Sequence, residues 1–153
     1  MSGFIRVSSR FRPGVAKNSI RRVALVGADP ETCGIASKLL DGRGLATLRF
    51  STVSDLRKGF AAQETCLLLC EDVLPDGDFR DVLLVSHQVQ PTVPVIVYSR
   101  IADWSEYLAA VKLGAHDLLR FPFRAGELQW VIDRALADGT MVSPDGSDDL
   151  DSR

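Results

Sequence analysis

The chain of 153 residues has little cysteine, no long apolar run and almost no net charge. Its three cysteines, Cys33, Cys66 and Cys70, are an odd number without a CxxC pair, which fits neither a disulfide framework nor a zinc site. They read as small core hydrophobes in a reducing compartment. The longest apolar runs, Val93 to Tyr98 and Cys66 to Cys70, have the length of buried strands and fall far short of the ~20 residues that cross a bilayer. No apolar signal core follows Met1, so the expected location is cytoplasmic. The 18 Lys and Arg side chains against 20 Asp and Glu leave a formal charge of −2. That balance excludes a surface gripping nucleic acid or an anionic membrane over its whole extent. Phosphate-cradling glycine patterns are missing too: after Gly27, Gly34 comes too late for GxGxxG, and no Lys-Ser/Thr follows as in a Walker A loop.

What is present is unevenly distributed. Six basic residues and no acid lie between Met1 and Arg22, whereas Asp138, Asp145, Asp148, Asp149 and Asp151 crowd the other end. The expected division is a flexible basic arm over residues 1–21, a folded domain over 22–138 and an acidic disordered tail over 139–153. No membrane partner is expected, and nucleic acid only through the arm.

Within the domain, Val23-Ala24-Leu25-Val26 is a short apolar run that stops at Gly27, as a doubly covered parallel strand should. Asp29 then reads as an N-cap, with Pro30 at the first helical position and Glu31 in the first turn; a metal ligand is the alternative for Asp29. The helix is expected to bury Ile35, Ala36, Leu39 and Leu40 and to end before Gly42. Leu45 to Phe50 alternates as a strand with one wetter face. A helix capped by Ser54 follows, then a strand over Thr65 to Cys70 and a helix presenting Phe79, Val82, Leu83 and Val89. Val93 to Ser99 is the fourth strand, Trp104 to Leu113 a helix, Asp117 to Phe121 the fifth strand and Glu127 to Leu136 the last helix. Five strand–helix units of this length predict an α/β fold with a doubly wound five-stranded parallel sheet, whose functional groups gather at the carboxyl ends of the strands.

Four segments at those ends carry a resemblance: Ala24-Leu25-Val26-Gly27-Ala28-Asp29-Pro30-Glu31, Leu68-Leu69-Cys70-Glu71-Asp72-Val73-Leu74-Pro75-Asp76-Gly77, Pro94-Val95-Ile96-Val97-Tyr98-Ser99, and Leu113-Gly114-Ala115-His116-Asp117 running into Phe121-Pro122-Phe123. Together they resemble the receiver domains of two-component response regulators, over about Arg22 to Ala137. The resemblance implies the flavodoxin-like (βα)5 receiver architecture. It also implies a site in which an acidic pair and a phosphoacceptor aspartate hold magnesium. Here the acidic pair falls on Gly27 and Ala28, neither of which offers the oxygen a hard cation needs. The phosphoacceptor position falls on Glu71, the lysine position on Phe121, and the aromatic switch position on Leu118. The switch hydroxyl, Ser99, is kept. Phosphoryl transfer works by positioning and charge stabilisation, and four of five positions have lost those groups.

The expectation is a pseudo-receiver: a non-enzymatic, phosphorylation-independent interaction module with no metal and no cofactor. Its partner would be another signalling protein, or a second copy through the fourth helix, fifth strand and fifth helix. Two competing classes stand beside it: a divergent receiver accepting a phosphoryl group on Glu71 or Asp72, and a small-ligand binder on the same sheet edge. Arg100, after Ser99, either reaches Glu71 as an ion-pair lock or extends into solvent. Trp104 and Tyr107 on the fourth helix, and Trp130 beside Arg134 on the fifth, are candidate interface residues, with partial core packing the alternative for Trp130. Trp104 is expected near the pocket. His87 and His116 lack ligand-like spacing and read as solvated. No helix-turn-helix output domain is expected after the last helix.

Overall fold

The computed structural model describes residues 21–124 and 126–141. Most of the basic arm and of the acidic tail thus lies outside the described residues. Five parallel strands form one sheet: β1 (Arg21–Val26), β2 (Leu45–Phe50), β3 (Leu67–Glu71), β4 (Val95–Ser99) and β5 (Asp117–Arg120), in the order β2-β1-β3-β4-β5. The helices are α1 (Pro30–Gly42), α2 (Val53–Gly59), α3 (Phe79–Val89), α4 (Trp104–Lys112) and α5 (Glu127–Met141). A two-residue antiparallel ladder, Val73–Leu74 on Gly77–Asp78, closes the loop between β3 and α3. This is the doubly wound arrangement read from the sequence. The strand order reverses between β1 and β3, which opens a crevice beyond their carboxyl ends.

Side chains alternate across the sheet and divide the core in two. Val23, Leu25, Leu67, Leu69, Ile96 and Tyr98 pack with α1 and α5, against Cys33, Ala36, Leu40, Leu128, Val131, Ile132 and Ala135. Ala24, Val26, Leu68, Cys70, Val95 and Val97 pack on the other face with α2, α3 and α4, against Leu56, Phe79, Val82, Leu83 and Ala110. Since β1, β3 and β4 are covered on both sides, their sequences are almost uninterruptedly apolar.

Several local expectations are corrected. Ile35 is exposed, and the buried stripe of α1 is Thr32, Cys33, Ala36 and Leu40. The N-cap of α2 is Thr52, not Ser54: the Thr52 side chain accepts from Asp55 N. The Val53 and Ser54 N–H groups are taken instead by the Asp76 carboxylate, at 2.8 and 3.0 Å. In α3 the buried residues are Phe79, Val82, Leu83, Val85 and Ser86, held behind a capping box of Asp78 and Asp81. Arg21 belongs to β1 rather than to the arm, and α5 runs through Gly139 to Met141, into the segment assigned to the tail. His116 is not solvated, because its Nε2 lies 2.8 Å from Asp138 Oδ2 on α5.

Candidate functional site

The carboxyl ends of β1, β3 and β4 frame a cleft of about 170 Å³ lined by Thr32, Glu71, Asp72, Val73, Tyr98, Ser99, Arg100, Ile101 and Phe121. Strand periodicity decides which side chains meet in it. Glu71 pairs with Tyr98 in the β3–β4 register, and both continue the rows that face α1 and α5. Asp72 and Ser99 continue the opposite rows, toward α3 and α4. The Ser99 hydroxyl therefore faces Asp72 rather than Glu71: its Oγ donates to Asp72 Oδ2 at 3.0 Å and accepts from Ile101 N and Ala102 N at 3.0 and 3.1 Å. The loop it holds places Ala102 at φ 40°, a left-handed conformation that costs a non-glycine residue ~1–3 kcal/mol.

On the other side Glu71 is consumed by its own fold. Oε1 accepts from Ala28 N at 3.0 Å, and Oε2 accepts from Thr32 Oγ1 at 3.2 Å. Gly27 beside it has no room for a side chain. A Cβ there would lie 2.9 Å from the Tyr98 hydroxyl, 3.0 Å from Cys33 Sγ and 3.0 Å from Glu71 Oε1. The space an acidic side chain would occupy is filled by the tip of Tyr98, whose ring is fully buried and whose hydroxyl lies 3.9 Å from Cys33 Sγ. Desolvation pushes the Tyr98 phenol up from its ordinary value and raises the Cys33 thiol, so both stay neutral. Magnesium does not fit this donor set. Of the three positions, Gly27 and Ala28 bring no side-chain oxygen, and both oxygens of Glu71 already accept hydrogen bonds. Among the described residues no group of three or more His, Cys, Asp or Glu side chains could hold a metal ion.

Phe121 is buried and precedes a cis bond to Pro122. Its ring sits 6.4 Å from that of Tyr98 and 5.1 Å from that of Phe123. Arg100 lies over the Phe121 ring, its guanidinium 4.9 Å from the centroid. The Arg100–Glu71 lock is not formed, and Arg100 does not merely extend into solvent. It reaches Asp29 and Glu31 at the start of α1, at 3.4 and 3.3 Å. The physical reason is that Glu71 points down toward Thr32, while Arg100 leaves β4 above the Phe121 ring. Asp29 is the N-cap, accepting from Thr32 N. Desolvation acts to raise its carboxyl, but the Thr32 and Glu31 N–H groups and Arg100 outweigh it and hold it low.

Beside the cleft, Ala102, Asp103, Trp104, Tyr107 and Leu118 line a separate groove between α4 and β5. Trp104 thus belongs to that groove and not to the cleft. It is 70% exposed and stacks on Tyr107 with ring centroids 5.4 Å apart. Trp130 is 58% exposed, with the Arg134 guanidinium 4.9 Å over its ring. Three contributors escaped the sequence reading: Tyr98, Thr32 and Glu106. Tyr98 carried one signal, a polar tip inside the apolar strand Val95-Ile96-Val97. Glu106 stands three residues after the N-cap Asp103, whose side chain accepts from its N–H, and so reads as a capping residue.

No family model matches the chain. Among solved structures, the beryllofluoride-activated NtrC4 receiver domain dimer superposes with TM-score 0.72 at 21% identity, covering 77% of this chain and 98% of that one. A CheY-like receiver domain protein from Methanospirillum hungatei gives 0.73 at 19%, covering 80% and 98%. The chain has the fold of response-regulator receiver domains. Among curated relatives, it is similar to the regulatory protein y4xI of Sinorhizobium fredii (34% identity over 107 residues, 70% of this chain and 46% of that protein). It also resembles the transcriptional regulatory protein GltR of Pseudomonas aeruginosa (27% over 132 residues, 85% and 54%). The transcriptional regulator NtrC of Proteus hauseri matches at 26% over 114 residues, 74% and 24%. The chain therefore spans between about a quarter and about half the length of these relatives. Among the described residues of the receiver domain, no helix is long and apolar enough to cross a membrane.

Proposed function

We propose that this receiver domain is a phosphorylation-independent, non-enzymatic signalling module of the cytoplasm that works by binding another signalling protein. The observation that carries the reading is the closed position at Gly27. The Tyr98 hydroxyl, Cys33 Sγ and Glu71 Oε1 stand where the first metal-binding side chain would be built. Without the cation, and with Phe121 in place of a lysine, the charge that develops on a transferring phosphoryl group meets among the described lining residues only Arg100, which is already paired with Asp29 and Glu31. The exposed aromatic residues Trp104 and Trp130 supply the kind of anchor that partner proteins bury.

One observation favours the second reading, a divergent phosphoacceptor: Asp72 Oδ2 lies 3.0 Å from the Ser99 hydroxyl. Titration with magnesium and then beryllofluoride, followed through backbone amide shifts of Ala28, Asp72 and Ser99, separates the two. The proposal expects no saturable magnesium binding up to millimolar concentrations and no shift with the phosphoryl mimic. Saturable binding followed by a mimic-induced shift centred on Asp72 overturns it.

A further inference from the structure

The sheet carries a second groove at the edge opposite the cleft, where the amino ends of its strands lie. There Arg21 begins β1, Cys66 directly precedes β3 and Pro94 directly precedes β4; with Val93, and with Ala135 and Leu136 of α5, they line a space of about 220 Å³. Arg21 continues the row of Val23 and Leu25, which faces α1 and α5, so it is turned toward the end of α5. It is exposed and forms no ion pair among the described residues. The acids of α5 beyond its first turn do not serve it, because Asp133 is paired with Arg43 and Asp138 lies against His116. An unpaired cation thus stands at the lip of a largely apolar groove.

Both remaining parts of the chain leave the domain at this edge. The arm runs into Arg21, and the tail follows Met141, five residues beyond Leu136. Charge separates the two as occupants. Before Arg21 stand Arg6, Arg10, Arg12 and Lys17 with no acid, and like charge keeps that segment from Arg21. The tail carries Asp145, Asp148, Asp149 and Asp151 against Arg153 alone, with Leu150 set between two of the acids. Reach favours it as well. Five helical residues carry the chain only ~8 Å past Leu136, whereas the nine from Met141 to Leu150 span up to ~30 Å when extended. Pro144-Asp145-Gly146 is a turn sequence suited to reversing the chain.

We propose that this groove is the docking site of the chain's own C-terminal tail, with Leu150 against Val93, Pro94 and Leu136 and the flanking Asp149 and Asp151 against Arg21. The docked tail covers Cys66. One apolar side chain and an exposed ion pair make a weak latch, which an acidic segment of a partner protein can displace. The latch lies at the far edge of the sheet from the cleft and operates whether or not the cleft accepts a phosphoryl group.

Cys66 reports on the cover, since Cys33 and Cys70 are fully buried and Cys66 is half-buried in the groove. In the full chain, labelling of Cys66 by a neutral maleimide is expected to speed up roughly threefold or more in Leu150→Ser, as loss of a weak latch allows. That replacement keeps every charge, so the acidity of the thiol is not altered with it. In Arg21→Gln, the amide shifts of Asp149 and Leu150 should move to the positions they take in a peptide of residues 142–153. The parent's labelling rate should be independent of protein concentration, as an intramolecular cover requires. A rate unchanged by Leu150→Ser, or tail amides unmoved by Arg21→Gln, overturns the proposal. So does protection that fades on dilution, which places a second copy's tail in the groove, or protection lost on replacing Arg6, Arg10, Arg12 and Lys17 by Gln but kept in Leu150→Ser, which places the arm there.

Discussion

Replacing Gly27 by alanine measures how tightly the space beside this residue is filled. Two effects oppose. Alanine restricts the unfolded chain and on that account stabilises by ~0.4–1 kcal/mol wherever its backbone fits. Against this, the added Cβ lies 2.9 to 3.0 Å from three atoms belonging to Tyr98, Cys33 and Glu71. Overpacking of that kind costs ~1–3 kcal/mol. The clash wins, for a net loss of about 1–2 kcal/mol. In urea unfolding, with a slope of ~1–3 kcal/mol per molar, the midpoint should fall by roughly 1 M while the slope is unchanged. The attribution to Tyr98 is checked by a double-mutant cycle. Tyr98→Phe alone should cost about 1 kcal/mol, since the hydroxyl makes a long 3.9 Å contact to Cys33 Sγ and interacts with the Thr32 side chain. In the Gly27→Ala background it removes the nearest of the three obstructions, so the coupling should be favourable by ~0.5 kcal/mol or more. A Gly27→Ala protein as stable as the parent, or strictly additive losses in the double variant, would refute the reasoning.

Two further outcomes are expected. Phe121→Lys, which rebuilds the family's lysine, should lose ~2–4 kcal/mol in urea unfolding. It breaks the packing of Phe121 with Tyr98 and Phe123 and sets a second cation near Arg100. It should gain no magnesium response, since Gly27 and Ala28 still offer no side-chain oxygen and both Glu71 oxygens remain hydrogen-bonded. Asp76→Asn should flatten the acid limb of stability. The Val53 and Ser54 N–H groups hold the Asp76 carboxyl below its ordinary 3.8, so its contribution is present above that value and is lost as pH falls through the lowered folded one. Urea midpoints measured down this range should fall more steeply for the parent than for the variant.

The strands were legible because doubly covered parallel strands must be apolar on both faces, and Gly27, Gly44 and Gly114 punctuate them. The boundaries that went astray were set from a distance. Thr52 and Ser54 are both competent caps, and the choice between them depends on Asp76, which reaches across from another loop to take Val53 N and Ser54 N. The passage of α5 through Gly139 reflects how little a single glycine costs a helix, ~1 kcal/mol. At the site, what Gly27, Ala28 and Phe121 lack is implied by the resemblance to receiver domains. What fills the space is not, because Thr32 comes from α1 while Tyr98 and Arg100 come from the end of β4. The Arg100–Glu71 pairing failed for a related reason: adjacency at one sheet edge does not say which face a side chain descends.

The fit of Tyr98 against Gly27 also bears on the order in which such a site can change. With the phenol tip in the space beside Gly27, an acid placed at position 27 meets a steric barrier before it offers any ligand. Shortening Tyr98 alone gives up core packing and offers no ligand either. The two positions are thus coupled like a latch and its keeper: what one can become depends on the other changing with it.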